Sequence, residues 1–237
     1  MKNEMKNLAI VLISCAFLAA CSNNNEISYE KTSIDNVDDS LTTKANTKIK
    51  IDGYNAIAIE DQIWMAENLN VDKFRDGTKI PEAKTNEDWI KAAQEGKPVW
   101  CYYKNDASNS AELGKLYNWF AVMSTHGLAP VGWHIPNELE WVKLFKSIGE
   151  CSVFKIKSEF SWKNDDTKPT NITGFSLLPI ESRRINGNFF GVGADLWSSS
   201  EISDIEAFSI CIANNNDCKI GVKEFKGSGL TVRCIKD

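Results

Sequence analysis

Apolar positions first alternate in "KIKIDGYNAIAIEDQIWMAENL", where Ile49 and Ile51, then Ile57 and Ile59, stand two apart. That period predicts short strands, with Glu60-Asp61 breaking the run before a third strand through Trp64. The period then lengthens. "TNEDWIKAAQEGKP" predicts a helix: Thr85 caps it with Asp88 three residues on, Gly96 ends it and Pro98 bars continuation. "LGKLYNWFAVMSTHGLAP" puts Leu116, Phe120 and Met123 on one helical face and predicts a second helix. The third is the clearest, because Asn137 and Glu140 resemble a capping box and Trp141, Leu144, Phe145 and Ile148 form an i, i+3, i+4, i+7 stripe before Gly149. Beyond it, "FSLL", "NFFGVG", "AFSICIA", "CKIGVKEF" and "LTVRCI" are short apolar runs between turn signals, and they predict strands. Strands, then helices, then strands make an α+β class and not alternating βαβ; no internal repeat or second domain is needed.

The N-terminus follows another pattern. Lys2 and Lys6 precede "LAIVLISCAFLAA", thirteen uncharged residues, and then Cys21. A basic start, a short apolar segment and small residues make the layout of a secretory signal. Thirteen residues of helix rise about 20 Å, short of the roughly 30 Å of a bilayer core. Leu18-Ala19-Ala20-Cys21 also resembles the bacterial lipobox, in which the cysteine sulfur receives a diacylglycerol and cleavage precedes it. Acyl chains contribute about 0.8 kcal/mol per buried CH₂, so two or three would hold the protein on a membrane. Ser22 after the cysteine, in place of aspartate, favours outer-membrane sorting by analogy. "SNNNEISYEKTSIDNVDDSLTTKANTK" is polar and nearly free of large apolar residues, so it reads as a flexible tether. The expected organisation is a lipoprotein signal peptide over 1–20, a spacer over 21–47 and one domain over 48–237.

Composition narrows the partners. With 43 % apolar and 25 % charged residues the chain is of globular type, and a net charge of −5 without a basic stripe argues against nucleic acid. All eight tryptophans fall between Trp64 and Trp197. Trp64, Trp119, Trp133, Trp141 and Trp197 are read as structural aromatics, each able to bury some 150–250 Å².

The two histidines, His126 and His134, lie in or against "GLAPVGWHIPNELEW". A zinc site would need further ligands at suitable spacing, and neither H-x-x-x-H nor C-x-x-C occurs. His126 precedes a glycine cap at a helix end, and His134 precedes a helix start, so structural roles are favoured for both. No metal and no cofactor is implied.

"IWMAENLN", "PVWCYYKND", "GKLYNWFAV", "LAPVGWHIPNELEW", "TNITGFSLLP", "LWSSSE" and "LTVRCIKD" occur in the order seen in the Fibrobacter succinogenes major paralogous domain, which the chain resembles over about residues 48–237. That family looks like a distant branch of the C-type-lectin-like fold, similar to formylglycine-generating, sulfatase-modifying enzymes. The resemblance implies two to three helices packed on short, mostly antiparallel strands with long loops, the first and last strands brought together. Asn137-Glu138 stand where the family more often shows Thr-Asp, which preserves capping. "LPIESRR" replaces a glycine-rich "LPGG" and leaves that loop's conformation open.

The resemblance also bears on the cysteines. Cys101 and Cys234 lie in its two cysteine-bearing words, which points to a disulfide between them, two buried thiols being the alternative. Cys211 and Cys218 flank "IANNNDCK", and a tight turn at Asn214-Asn215 would make a second disulfide possible, leaving Cys151 over. The copper-dependent relatives use paired cysteines in an arginine- and tyrosine-containing word that does not occur here. No nucleophile elbow is present either, and Gly187, Gly191 and Gly193 suit a hairpin turn better than a phosphate loop. Asp195, Glu201, Asp204 and Glu206 could supply calcium with carboxylates, but a solvated acidic loop is the simpler reading. Tyr102, Tyr103 and Tyr117 could stack on sugars or pack internally. Together these residues describe an exported, lipid-anchored, non-catalytic binding module at the cell envelope, for carbohydrate or a surface protein. An enzyme on the same scaffold and a structural subunit of a surface assembly are the alternatives.

Overall fold

Capping chemistry sets both long helices. In this computed structural model the described residues are 48–237 without 151, 160, 163–167, 192 and 215–217. The signal peptide, Cys21, the spacer and Cys151 lie outside them. Helix α1 (Asn86–Glu95) starts where Thr85 Oγ1 accepts from Asp88 N while Asp88 Oδ2 accepts from Thr85 N, both at 3.1 Å. It ends at Gly96, whose φ of 63° a side-chain-bearing residue adopts only at a cost.

Three strands precede that helix: β1 (Ile49–Ile51), β2 (Tyr54–Ile59) and β3 (Gln62–Met65). After it come β4 (Trp100–Cys101), α2 (Ser110–Leu113), β5 (Leu116–Asn118), α3 (Trp119–Val122), β6 (Trp133–His134) and α4 (Glu138–Ser147). After a 3₁₀ turn at Val153–Lys155 come the strands β7 (Ser182–Arg183), β8 (Phe189–Phe190), β9 (Gly193–Glu201), β10 (Glu206–Ala213), β11 (Cys218–Phe225), β12 (Gly229–Leu230) and β13 (Ile235–Lys236). The fold is α+β.

Sequence pattern and structure part company at residues 113–130. The expected helix is only α3, one turn long, and Leu116 to Asn118 form β5 instead. Tertiary partners override the helical spacing: β5 lies between β4 and β12, and the Tyr117 hydroxyl donates to Val71 O at 2.7 Å. Asn118 then restarts the helix by accepting from Ala121 N. "FSLL" likewise shrinks to a bridge between Lys157 and Leu177, while "AFSICIA" and "CKIGVKEF" pair as a hairpin. The glycine-poor 178–184 segment has no positive φ, and its Ser182-Arg183 pairs with β8 through a turn containing Gly187.

The strands form three sheets, ordered β1-β2-β3-β13-β6, β11-β10-β9 and β4-β5-β12-β7-β8. In the first, Ile235 pairs with Trp64 on one side and His134 on the other, which inserts the last strand beside the first three. Trp64, Trp133, Trp141 and Trp197 are fully buried and Trp119 nearly so. Trp64, Trp141 and Phe175 pack ring against ring beneath α4, with Trp64 and Trp141 centroids 4.8 Å apart. Buried cations interleave this core. Arg183 is satisfied by Gly187 O, Ala83 O, Thr85 O and the Asn86 and Asn105 amides, and its guanidinium lies 4.8 Å from the Trp89 ring centre.

Candidate functional site

His134 closes β6, and Pro136 and the Asn137 cap turn the chain into α4 three residues later. The Glu140 carboxylate therefore faces back on what precedes it. Its Oε2 accepts from Asn137 N and its Oε1 meets His134 Nε2, both at 2.8 Å. Strand β13, running beside β6, brings Asp237 Oδ1 to 2.8 Å from His134 Nδ1. One imidazole thus touches two carboxylates from different elements. Burial would lower its pKa, but the two hydrogen bonds prevail and raise it above the usual histidine value. Two carboxylates are satisfied at once only by the doubly protonated ring.

A surface pocket of about 250 Å³ opens against this cluster. Glu140 and Lys143 line it from α4, Asp61 and Gln62 from β3 and the turn before it, and Lys236 and Asp237 from β13, with Ile63 and Ile235 as its aliphatic part. Lys143 pairs with Asp61, whose carboxyl it holds below the usual range, and Gln62 Nε2 donates to Glu140 O at 3.1 Å. Lys236 donates to Gly132 O at 2.8 Å and lies 3.7 Å from Asp52. Three carboxylates, two ammoniums and an amide on one concave surface can hydrogen-bond a ligand that both donates and accepts.

His126 makes its own contact elsewhere. Its Nδ1 is paired with Asp76 and its ring stacks on Phe74, 5.5 Å between centroids, latching the 73–79 hairpin to the loop after α3. Among the described residues no three His, Cys, Asp or Glu side chains are arranged to hold a metal ion. Asp195 and Glu201 sit six residues apart on β9, about 20 Å along an extended strand, so they cannot share one ion. Glu201 pairs instead with Lys226. Tyr117 is fully buried, Tyr102 packs edge-on against Trp100 and Tyr103 against Phe189.

Both expected disulfides need correction. Cys101 and Cys234 are free, buried thiols in separate core clusters, on a strand of one sheet and beside a strand of another. Burial pushes their pKa values up to about 11 and about 12. Cys211 is also a buried thiol, outside any disulfide. It pairs across the ladder with Lys219, whereas Cys218 pairs with Ile212. That one-residue offset points the two sulfurs to opposite faces of the hairpin. Cys218 is disulfide-bonded.

The sequence pattern marks His134 and Glu140 separately but neither their contact nor Asp61, Gln62, Lys143, Lys236 and Asp237 as a group. Only the Asn137–Glu140 spacing carried a local signal; Asp237 lies 103 positions from His134. No helix among the described residues is long and apolar enough to cross a membrane.

No curated protein and no solved structure matches the chain. A family model does, over residues 57–236, a span that holds both long helices, His134 and Glu140, and all of the pocket lining but Asp237. The chain therefore belongs to the Fibrobacter succinogenes major domain family.

Proposed function

We propose that the protein is a non-catalytic binding module of the bacterial envelope, anchored in the outer membrane through lipid on Cys21 and carried on a 21–47 spacer. Its domain is of the C-type-lectin-like kind. Support for that fold comes from β13 lying between β3 and β6, which joins the ends of the domain. The observation that carries the binding reading is the pocket beside His134, whose carboxylates, ammoniums and amide suit the hydroxyls of a carbohydrate, each at once donor and acceptor. An enzyme acting through cysteine fares worse, because Cys101, Cys211 and Cys234 are buried and burial keeps the first and last protonated.

Glycan arrays and polysaccharide pull-downs with the soluble domain test the reading, with Lys143→Ala and Asp61→Ala as pocket variants. Retention that both variants weaken supports it; blank arrays, or retention indifferent to both, would end the carbohydrate assignment. A Cys21→Ser chain that still partitioned with membranes would end the anchoring assignment.

A further inference from the structure

We infer that His134 is a pH-operated clasp: protonated, it holds Glu140 of α4 and Asp237 beside β13 together, and on deprotonation it keeps Glu140 and lets Asp237 go.

An imidazolium has two N–H groups and a neutral imidazole one, while an ionised carboxylate only accepts. With both ring nitrogens 2.8 Å from carboxylate oxygens, loss of one proton turns one contact into a lone pair facing an anion. The geometry decides which contact breaks. Glu140 is fixed twice more, by Asn137 N on its other oxygen and by its own amide donating to Asn137 Oδ1 at 3.0 Å, and its side chain is 26 % exposed. Asp237 is 53 % exposed, and its backbone is held to Gly132 O at 3.1 Å. The Nε2–H···Glu140 bond is therefore kept.

Other charged groups around the ring are committed elsewhere. On α4, Lys143 pairs with Asp61; on β13, Lys236 pairs with Gly132 O and Asp52; β3 contributes the neutral Gln62. The sign of the response follows. Folding raises the ring's proton affinity, so the clasp's stabilisation is complete at pH below the unfolded histidine value and is lost as pH rises through the folded one. Asp237 and Glu140 both line the pocket, so above that point the pocket presents a free carboxylate that it lacks below. The clasp itself does not depend on any ligand.

The test uses the full chain without ligand. Imidazole proton resonances are followed against pH in the wild type, Asp237→Asn and His134→Gln, with His126→Gln to assign the two rings. Protection of the Asp237 amide against exchange, corrected for intrinsic base catalysis, is measured over the same range. His134 is expected to titrate above an ordinary histidine and lower in Asp237→Asn. Asp237 protection should fall several-fold across that titration in the wild type and stay low and flat in His134→Gln. An ordinary wild-type midpoint, a midpoint unmoved by Asp237→Asn, or wild-type protection that does not change would overturn the proposal. Should His134→Gln not fold, the exposed Asp237→Asn substitution still decides it.

Discussion

Arg233 Nη2 lies 2.7 Å and Nε 3.2 Å from the same Asn68 Oδ1, so one side-chain amide holds two donors of a fully buried guanidinium. The backbone oxygens of Met65 and Phe175 take the third nitrogen, and the Phe175 ring lies 4.4 Å below the charge. Burial pulls the pKa down to about 9, which leaves the group charged at neutral pH. Asn68→Ala removes the amide and strands buried donors. A loss of about 3 kcal/mol is expected from urea denaturation. Arg233→Lys should also destabilise, since one ammonium cannot span all three acceptors.

Thiol chemistry should be ordered by burial. In the native chain Cys101, Cys211 and Cys234 are expected to resist alkylation and to react fully after unfolding, whereas Cys218 reacts only after reduction as well. Even at pH 9 the thiolate fraction of Cys101 and Cys234, whose thiols ionise near 11 and 12, stays at about 1 % or less, so their native reaction should remain far slower than that of an exposed cysteine. Peptide mapping under non-reducing conditions then identifies the cysteine bonded to Cys218.

The aromatic stack under α4 carries much of the packing. Trp141→Ala opens a cavity against Trp64, Phe145 and Phe175 and should cost about 3–5 kcal/mol. The near-UV circular dichroism arising from the Trp64–Trp141 pair should weaken in parallel.

Asp76 gives an acid-side signature. The hydrogen bond with His126, reinforced by the amide of Thr78, holds its carboxyl down to about 2. A depressed carboxylate contributes stability above its unfolded pKa and loses it as pH falls towards the folded value. Between pH 4 and 2 the wild type should therefore lose more thermal stability than Asp76→Asn, and the two melting profiles should converge at the acid end.

Gly229 tests sterics without backbone strain. A Cβ there would stand 2.6 Å from the Trp89 ring and 3.3 Å from Arg183 Cβ, between strands β5 and β7. Gly229→Ala should destabilise by about 1–3 kcal/mol, read from the denaturation midpoint.

Legibility followed the range of each interaction. Thr85 with Asp88 and Asn137 with Glu140 could be read as caps because the partners stand three positions apart and nothing distant is needed. The stripe Trp141, Leu144, Phe145 and Ile148 is buried as its spacing required. Leu116 and Tyr117 carry a helical spacing yet form strand, because spacing over a few apolar residues cannot reveal that strands on both sides await them. Nor could composition show that Arg183, Arg233 and Lys157 would be fully buried, since each is accommodated by backbone carbonyls, amides or rings from remote segments.

The chain by itself determined the capped starts of its two long helices, its core stripe, its α+β class and its family, because these depend on neighbours a few residues apart or on the order of whole words. Tertiary structure alone decided that Cys218 pairs with Ile212 and not with Cys211, and that Asp237 arrives beside His134. Both outcomes turn on ladder register. A slip of one residue reverses which face a side chain occupies, and the register is set by the packing of all the strands together.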